Sequence, residues 1–320
     1  MISGENAVFT LVRCDGDEGW LEQRRRGIGG SDVAAIMGLS PWRSPLDVWM
    51  EKTGRAEPQD LSDRPYIQFG NIMEPVIADW YRSNRSGLKV RRVNAICQSM
   101  ERPWAQASLD YEVHDPELGW GVLEIKTARN RCDWADGVPA HYLTQIIHYM
   151  NVTGRIFADV AVFFRDEAEF ESYRYAWDDE DDAAVEQAVD TFWNDYVLTD
   201  TMPALVGTQG ETVALAEMFA EPAPDSISVS DPDITKLISE YQTFSEIEKG
   251  ARTDKQKVAN ELMRRIGDHK ALITDTSRVT WVRSECERFD QRRFRAEHPD
   301  LYAQYTSNYM RNGGIRVTDI

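Results

Sequence analysis

The sequence predicts an α/β protein in which a central mixed β-sheet is flanked by helices. Two segments have apolar residues at helical spacing, and five short runs rich in β-branched and aromatic residues are bounded by Gly or Pro turns. These elements follow the order helix, three strands, helix, two strands. In order, they are expected at residues 66–83 (helix), 88–96, 104–111 and 120–128 (strands), 139–151 (helix), and 155–165 and 169–177 (strands).

Residues 20–54 precede this core. Their sequence predicts a basic segment, a glycine turn and two helices. In the segment 27–32 (GIGGSD), Ser31 or Asp32 would cap the first helix, and Ser44 followed by Pro would start the second. Exposed backbone amides, the positive end of the helix dipole and nearby arginines can bind a phosphate. A capped surface helix with solvated arginines accounts for the same residues, and the sequence leaves both interpretations open.

The strand pair around residues 108–126 carries the chemistry most suggestive of catalysis. Asp110 belongs to one predicted strand, and Glu124 and Lys126 to the next. Because side chains alternate along a strand, Glu124 and Lys126 share one face, whereas Leu123 and Ile125 point to the other. Two carboxylates and an ammonium group on one surface suit a magnesium-dependent phosphodiesterase. A solvated cross-strand ion pair would show the same spacing.

Further polar residues lie within the two predicted helices of the core. Glu74 is surrounded by apolar positions and directly precedes Pro75, which we expect to disrupt the helix. A carboxylate there must turn to solvent or meet a cation, because a buried unpaired charge is costly. In the second helix, Gln145 and Tyr149 are four residues apart and therefore share a face.

The remainder of the chain predicts a wrapped segment and an appendage. Acidic residues open a helix over 178–198, and they are more typical of a solvated helix start than of a metal site. We expect a folded core at residues 1–200 and a linker or loosely wrapped segment at 201–230. Residues 231–320 would form an appendage with a helical hairpin broken near Gly250 and a β-ribbon. Arginines and tyrosines near its end could stack on bases or pack on the core.

The charge of the chain is concentrated in one segment. The net charge is −18, which by itself argues against a nucleic-acid partner. However, residues 166–250 hold 22 acidic and 3 basic side chains, whereas residues 1–165 hold 22 and 19 and residues 251–320 hold 10 and 14. The flanking segments can therefore still present basic surfaces to a phosphate backbone.

Cysteine spacing and hydropathy indicate a cytoplasmic protein. The four cysteines contain no CxxC pair, so we expect reduced, buried thiols rather than a disulfide framework, zinc site or iron–sulfur site. No apolar run approaches the roughly 18 residues that span a bilayer, and the first ten residues lack the features of a secretory signal. No membrane partner is expected. The cysteines are Cys14, Cys97, Cys132 and Cys286.

Taken in order, short sequence motifs form a set that is more specific than any one of them. The set comprises Arg24, GIGGSD at 27–32, LSPW at 39–42, Gly70-Asn71, Glu74-Pro75, Ser108-Leu109-Asp110, Glu124-Ile125-Lys126, and Gln145 with Tyr149. With these motifs the chain resembles the YqaJ-type viral recombinase family, relatives of phage lambda exonuclease within the PD-(D/E)XK nuclease superfamily. The matches span residues 20–177, and Leu109-Asp110 replaces the superfamily's Pro-Asp. The resemblance implies a restriction-endonuclease-like core.

The resemblance also implies a metal site. Asp110 and Glu124, together with the backbone carbonyl of Ile125, would bind Mg²⁺, with Mn²⁺ as a substitute and two ions per site. Glu74 would complete the ligand set directly or through water. Lys126 would orient or help deprotonate the attacking water and offset the charge that develops on the phosphate.

Five further residues take substrate-holding roles in the family. Gln145 and Tyr149 would hold the active-site groups or the DNA backbone. Arg24, Ser31 and Ser108 resemble the family's pocket for a 5′-phosphate. A helix N-terminus, an arginine and two hydroxyl groups around one anion would favour 5′-phosphorylated ends.

The function implied is a metal-dependent deoxyribonuclease. It would degrade linear double-stranded DNA in the 5′→3′ direction and leave 3′ single-stranded tails for a recombinase that anneals single strands. Family members form trimeric rings, so a homo-oligomer on DNA ends is expected, in the bacterial cytoplasm if the protein is phage-encoded. Two alternatives remain: an endonuclease of the same superfamily, and a catalytically inactive DNA-binding or assembly protein.

Overall fold

A computed structural model describes residues 8–57, 63–221, 226–307 and 314–318 of the chain. It divides into two compact units, residues 1–219 and 220–320. The helices of the first unit are α1 (Gly16–Arg25), α2 (Gly30–Ile36), α3 (Pro45–Lys52), α4 (Pro65–Asn84), α5 (Ala140–Thr153), α6 (Asp179–Thr191) and α7 (Gln209–Met218). Its strands are β1 (Phe9–Val12), β2 (Lys89–Arg92), β3 (Ile96–Ser99), β4 (Gln106–Ala107), β5 (Tyr111–Asp115), β6 (Gly119–Ala128), β7 (Phe157–Phe164) and β8 (Glu169–Ala176).

The main sheet has five strands in the order β2-β5-β6-β7-β8. β6 and β7 are parallel, and the other neighbouring pairs are antiparallel. Helix α5 connects the two parallel strands, as a crossover connection requires. The predicted α/β class, with a central mixed sheet flanked by helices, is confirmed.

The two faces of this sheet are covered by different helices. Leu123 and Ile125 of β6 pack with Ile77 and Tyr81 of α4 in one core cluster. Val122, the preceding residue, packs on the opposite side with residues of α5. The alternation predicted for β6 is therefore confirmed, and Glu124 and Lys126 lie on the α5 side.

A second, smaller sheet positions the glycine turn on the α5 side of the main sheet, where Glu124 and Lys126 lie. Its three strands have the order β1-β3-β4, all antiparallel. Beside β4, Ile28 forms an isolated parallel bridge with Ala105, in which the Ile28 amide donates to the Trp104 carbonyl at 2.7 Å. This backbone pairing holds residues 27–30 next to the segment that leads to Asp110.

Several local expectations for the first unit are wrong. The strand expected over 104–111 is two strands, and Asp110 lies in the irregular segment just before β5. Helix α4 continues through Pro75. Residues 201–230 contain helix α7, which begins with a capping box between Thr208 and Glu211 and buries Ala214.

The second unit contains α8 (Pro232–Ile266), β9 (Ala271–Ile273), β10 (Arg278–Thr280), α9 (Gln291–Glu297) and α10 (Pro299–Gln304). The expected β-ribbon is confirmed, because β9 and β10 pair antiparallel. The expected helical hairpin is wrong, because α8 is one helix of 35 residues that passes through Gly250. Of the tyrosines near the end of the chain, Tyr302 is half-buried, Tyr305 is exposed, and Tyr309 lies outside the described residues.

The expectation of reduced, buried cysteines is confirmed only in part. All four cysteines are free thiols, but only Cys97 is buried, whereas Cys132 and Cys286 are exposed. Within the described ranges, no helix has the length and apolar character needed to cross a membrane.

Candidate active site

Glu124 and Lys126 project from the middle of β6 toward α5. β6 is flanked by β5 and β7, so both side chains stand on a backbone that is hydrogen-bonded on each side. The Lys126 Nζ donates to the Glu124 Oε1 at 2.7 Å, and the Glu124 side chain is only 3% exposed. The ion pair is therefore buried. The alternative interpretation, a solvated cross-strand ion pair, is wrong.

Helix α5 supplies the groups that cover this pair. The Gln145 Nε2 donates to the Glu124 Oε1 at 2.8 Å and to the Tyr149 hydroxyl at 2.9 Å. The Gln145 Oε1 in turn accepts from Lys126 at 3.1 Å. Gln145 thus hydrogen-bonds to both charged groups of the β6 pair. Gln145 and Tyr149 are four residues apart and lie on one face of α5, as the sequence predicts.

Asp110 joins the same site from the end of the irregular segment before β5. Its Oδ2 accepts a hydrogen bond from the Ile125 amide at 2.9 Å, which ties it to β6. We call Asp110, Glu124, Lys126, Gln145 and Tyr149 the carboxylate cluster. Five of the six predicted catalytic residues therefore come together in one place.

The carboxylates of this cluster repel each other. Burial raises the pKa of Glu124, the negative charge of Asp110 raises it further, and the result is a pKa of about 7 despite Lys126 and Gln145. Burial also raises the pKa of Asp110. Burial would lower the pKa of Lys126, but Glu124 and Asp110 outweigh it, so the pKa is raised and the amine stays charged.

Glu74, the sixth predicted catalytic residue, lies at the edge of this cluster. It projects from α4 and pairs with Arg92 at 3.0 Å. Burial raises the pKa of Glu74, and so does the nearby charge of Asp110. A carboxylate amid the apolar stripe of α4 has therefore met a cation, as the cost of burying an unpaired charge requires.

A divalent cation fits the donor atoms of the carboxylate cluster. The Glu124 Oε2 is buried and accepts no hydrogen bond, and Asp110 adds a second negative charge beside it. Hard carboxylate oxygens are what Mg²⁺ prefers, and its charge would replace repulsion by attraction. Within the described residues, no three His, Cys, Asp or Glu side chains are already grouped to hold a metal. Of the expected ligands, Asp110 and Glu124 lie together, and Glu74 lies at their edge.

A second buried group of charges lies at the start of α2. Asp32, fully buried, pairs with Arg43 at 2.8 Å and with Lys52 at 2.9 Å, and Glu51 bonds both of these cations. Arg24 is 3.8 Å from Asp32. We call Arg24, Asp32, Arg43, Glu51 and Lys52 the basic cluster. Burial would raise the pKa of Asp32, but Lys52, Arg43 and Arg24 hold it well below its usual range.

Two of the three residues expected to bind a 5′-phosphate are in contact with each other. Arg24 donates directly to the Ser31 Oγ at the N-terminal turn of α2. The N-cap of α2 is Gly29 rather than Ser31 or Asp32, and the Asp32 side chain accepts a hydrogen bond from the Gly29 amide. Ser108 is half-buried between β4 and β5, and within the described residues it makes no hydrogen bond to Arg24 or Ser31. The structure thus joins two of the three.

Close packing at Gly30 connects the two clusters. A Cβ atom at Gly30 would lie 2.4 Å from the Tyr149 Cε1 and 2.8 Å from the Gln145 Cγ, so only glycine allows this approach. Arg24 lies near enough to lower the pKa of Tyr149, although burial, Glu124 and Asp110 raise that pKa well above its ordinary value. The N-terminus of α2 therefore packs directly against the carboxylate cluster.

The sequence did not indicate the basic cluster as a unit. Asp32 was expected only as a helix cap, and Arg43, Glu51 and Lys52 had no assigned role. The capping motif identified Asp32, but nothing in the local sequence shows that a lysine at the end of α3 points inward. His148 was likewise missed, although it is buried with its Nε2 near the carbonyls of Ile28 and Gln106.

Comparisons with known proteins agree with the resemblance seen in the sequence motifs. Residues 19–156 match the model of the YqaJ-like viral recombinase domain. The chain is 28% identical over 308 residues to the uncharacterized protein YqaJ of Bacillus subtilis (strain 168), covering 93% of each chain. The resemblance to the YqaJ family is confirmed by these matches.

Two solved structures are similar in part. One is an alkaline exonuclease, LHK-Exo, from Laribacter hongkongensis, with 21% identity and a TM-score of 0.46 over 64% of this chain and all of that chain. The other is a phage related exonuclease from Haemophilus somnus 129PT, with 11% identity and a TM-score of 0.40 over 55% of this chain and 95% of that chain.

Proposed function

Because residues 19–156 match the model of the YqaJ-like viral recombinase domain, we propose that this chain is a metal-dependent deoxyribonuclease. It degrades one strand of linear duplex DNA from 5′-phosphorylated ends in the 5′→3′ direction. The observation that carries the proposal is the buried carboxylate cluster, in which Asp110 and Glu124 stand together beside Lys126. A solvated ion pair, the simplest structural explanation, does not bury an acceptor oxygen without a donor.

The residues of the carboxylate cluster divide the work of phosphodiester hydrolysis. Asp110 and Glu124, with the Ile125 carbonyl, would hold Mg²⁺ or Mn²⁺. Bound there, the metal supplies Lewis acidity toward the phosphate and lowers the pKa of a coordinated water. Lys126 orients the attacking water and offsets charge on the phosphate as one P–O bond forms and another breaks.

Gln145 and Tyr149 hold the catalytic groups in place. Gln145 fixes both partners of the Lys126–Glu124 pair, and its amide is fixed in turn by the Tyr149 hydroxyl. Such positioning matters because small misplacements of catalytic groups cost large factors in rate. Glu74 is paired with Arg92, and it would complete the ligand set directly or through water once Arg92 turns to another anion, such as a DNA phosphate.

The start of α2 supports a preference for 5′-phosphorylated ends. Arg24 and Ser31 are joined at the N-terminal turn of the helix, where backbone amides and the helix dipole favour an anion. Three cations face two carboxylates in the basic cluster, so it has one positive charge in excess. Ser108 would add a third donor when DNA is bound.

The proposed product also defines the partners. A 3′ single-stranded tail suits a recombinase that anneals single strands, and a homo-oligomer encircling DNA, such as a trimer, would keep the enzyme on its substrate. The acidic segment 166–250 would then face away from the DNA, because it would repel the phosphate backbone.

One degradation assay tests the proposal. Linear and covalently closed circular duplexes, each with and without Mg²⁺, are incubated with wild type, Asp110→Ala and Lys126→Ala. We expect Mg²⁺-dependent loss of linear DNA by wild type only. Wild-type rates in either variant would contradict the proposed site, cutting of closed circles would identify an endonuclease, and no degradation by wild type would indicate an inactive DNA-binding protein.

The same assay tests the end preference and polarity. Linear duplexes labelled at either the 5′ or the 3′ end of one strand, with 5′-phosphate or 5′-hydroxyl, distinguish the direction of digestion. Arg24→Gln should lower the rate on phosphorylated ends and leave the slower rate on hydroxyl ends nearly unchanged. An equal loss on both ends would contradict the phosphate pocket.

A further inference from the structure

Trp42 is exposed although its backbone is firmly held. It ends the LSPW motif at 39–42, and 69% of the residue is exposed. The Ser40 Oγ accepts from the backbone amides of Trp42 and Arg43 at 3.2 Å each, and the Arg43 side chain is fastened to Asp32. A large apolar ring is thus displayed to solvent from a rigid base, where packing alone would favour burying it.

A continuous series of ring contacts leads from Trp42 to the catalytic lysine. Trp42 and His141 meet nearly perpendicular, with ring centroids 5.1 Å apart. His141 and Tyr142 are 4.1 Å apart, and the Lys126 Nζ lies 4.8 Å from the centre of the Tyr142 ring. We call Trp42, His141 and Tyr142 the aromatic platform. It begins at the surface and ends at the carboxylate cluster.

The position of the aromatic platform indicates which ligand it would bind. Contacts of 5.1, 4.1 and 4.8 Å join Trp42 through His141 and Tyr142 to Lys126. Because successive nucleotides of one strand rise by about 3.4 Å, the aromatic platform lies within reach of the first few nucleotides of a DNA end held at Lys126. Aromatic rings beside a nucleic-acid backbone stack on bases, and this stacking tolerates any sequence because every base has a π-face. Such a contact suits an exonuclease that digests arbitrary sequence.

We propose that Trp42 stacks on a nucleobase at the DNA end and that the aromatic platform positions this end for hydrolysis. The inference rests on the proposed nuclease function and adds a base-binding subsite to it. The edge-on contact with His141 leaves most of the indole exposed to receive a base. His141 and Tyr142 act as positioning residues, because they support Trp42 and connect it to Lys126.

Binding to duplexes with missing bases tests the subsite directly. Full-length protein is titrated, in EDTA to prevent cleavage, onto 5′-phosphorylated duplexes by fluorescence anisotropy. One duplex is intact, a second carries abasic nucleotides at the two 5′-terminal positions, and a third carries them at the opposite 3′ end. We expect wild type to bind one abasic duplex about 5- to 100-fold more weakly than the intact duplex. The duplex affected identifies the strand whose base is stacked.

The variants separate stacking from other causes of weak binding. Trp42→Ala should bind the intact duplex as weakly as wild type binds the affected abasic duplex, with no further loss on that abasic duplex. Trp42→Phe should keep most of the discrimination, because a smaller aromatic ring remains. Trp177→Ala is the matched control: Trp177 is 41% exposed at the end of β8, and its indole bonds Asp179.

Two results would overturn the platform, and they differ from failure of the nuclease. Wild-type affinity in Trp42→Ala would show that the indole touches no base. Equal and additive losses from Trp42→Ala and the abasic ends would show that the two act independently. If wild type degrades linear DNA but either result is found, only the platform fails; if wild type neither binds nor degrades duplex ends, both proposals fail.

Discussion

The basic cluster and the carboxylate cluster are built from similar residue types with opposite electrostatic results. Around Asp32, three cations outnumber two carboxylates, and the pKa of Asp32 falls well below its usual range. Around Glu124, carboxylates outnumber the single lysine, and burial together with Asp110 raises the pKa of Glu124 to about 7. Asp32 is satisfied by the cations of its own cluster, whereas Glu124 gains from an added cation. A structural role therefore suits Asp32, and the proposed catalytic role suits the carboxylate cluster.

The same substitution in both clusters should separate activity from stability. Asp110→Asn should lower the rate of DNA degradation by at least about 10³-fold, because the proposed metal site loses a ligand charge. Its free energy of unfolding should stay the same or rise, since the amide oxygen can still accept from Ile125 and the repulsion with Glu124 is gone. Degradation assays and urea unfolding measure the two effects. Asp79→Asn, at an exposed position on α4, is the control, and more than a tenth of wild-type activity in Asp110→Asn would contradict the assignment.

Asp32→Asn should show the reverse. Removing this charge leaves Lys52 and Arg43 buried with one carboxylate between them, and breaking such a pair costs about 3 to 5 kcal/mol of unfolding free energy. Urea unfolding of the variant beside Asp79→Asn measures the loss. A change below about 1 kcal/mol would mean that the basic cluster is not needed for folding, and the comparison between the clusters would lose its basis.

His148, on α5 between the clusters, should make stability depend on pH. Burial lowers its pKa to about 4 from the ordinary 6.5. The unfolded chain therefore binds the proton more readily, so the stability contributed by neutral His148 is complete above pH 6.5 and is lost as pH falls toward 4. The loss is about 3 kcal/mol. Urea unfolding between pH 4 and 7 should show a shallower slope for His148→Gln, and an unchanged slope would exclude His148 as the cause.

Divalent cations should stabilise wild type through the carboxylate cluster alone. At a Mg²⁺ concentration 100-fold above its Kd, the unfolding free energy should rise by about 2.7 kcal/mol. Asp110→Asn should show little of this increase, whereas Asp79→Asn should show all of it. Thermal unfolding with Mg²⁺ or EDTA measures the effect without any DNA. Equal stabilisation of Asp110→Asn would place the ion elsewhere.

The contact between the clusters should be sensitive to a single methyl group. Gly30→Ala places a Cβ against the Tyr149 ring and the Gln145 side chain, so α2 or α5 must shift, at a cost of about 1 to 3 kcal/mol. Activity should fall as well, because Gln145 holds Glu124 and Lys126. Gly70→Ala is the matched control for stability, since nothing lies within 4 Å of its added Cβ. Equal unfolding midpoints for both variants would contradict the close packing.

Local sequence motifs predicted most strands of the main sheet, the helices α4 and α5 that cover it, and most of the carboxylate cluster. Strand alternation placed Glu124 and Lys126 on one face, and helical spacing placed Gln145 beside Tyr149, because both periods are properties of the backbone. Long elements such as α8 were recognised, but not their continuity: Gly250 and Pro75 are poor helix residues, yet each lies inside a helix that continues on both sides of it.

The sequence by itself determined the α/β class, the resemblance to the YqaJ family and the identity of the residues around Glu124. Only the tertiary structure decided that Asp32, Arg43 and Lys52 meet in a buried cluster, and that Trp42 is exposed in contact with His141. The physical reason is distance along the chain. Periodicity and capping act within a few residues, whereas the pairing of charges and rings depends on which helices the sheet brings together.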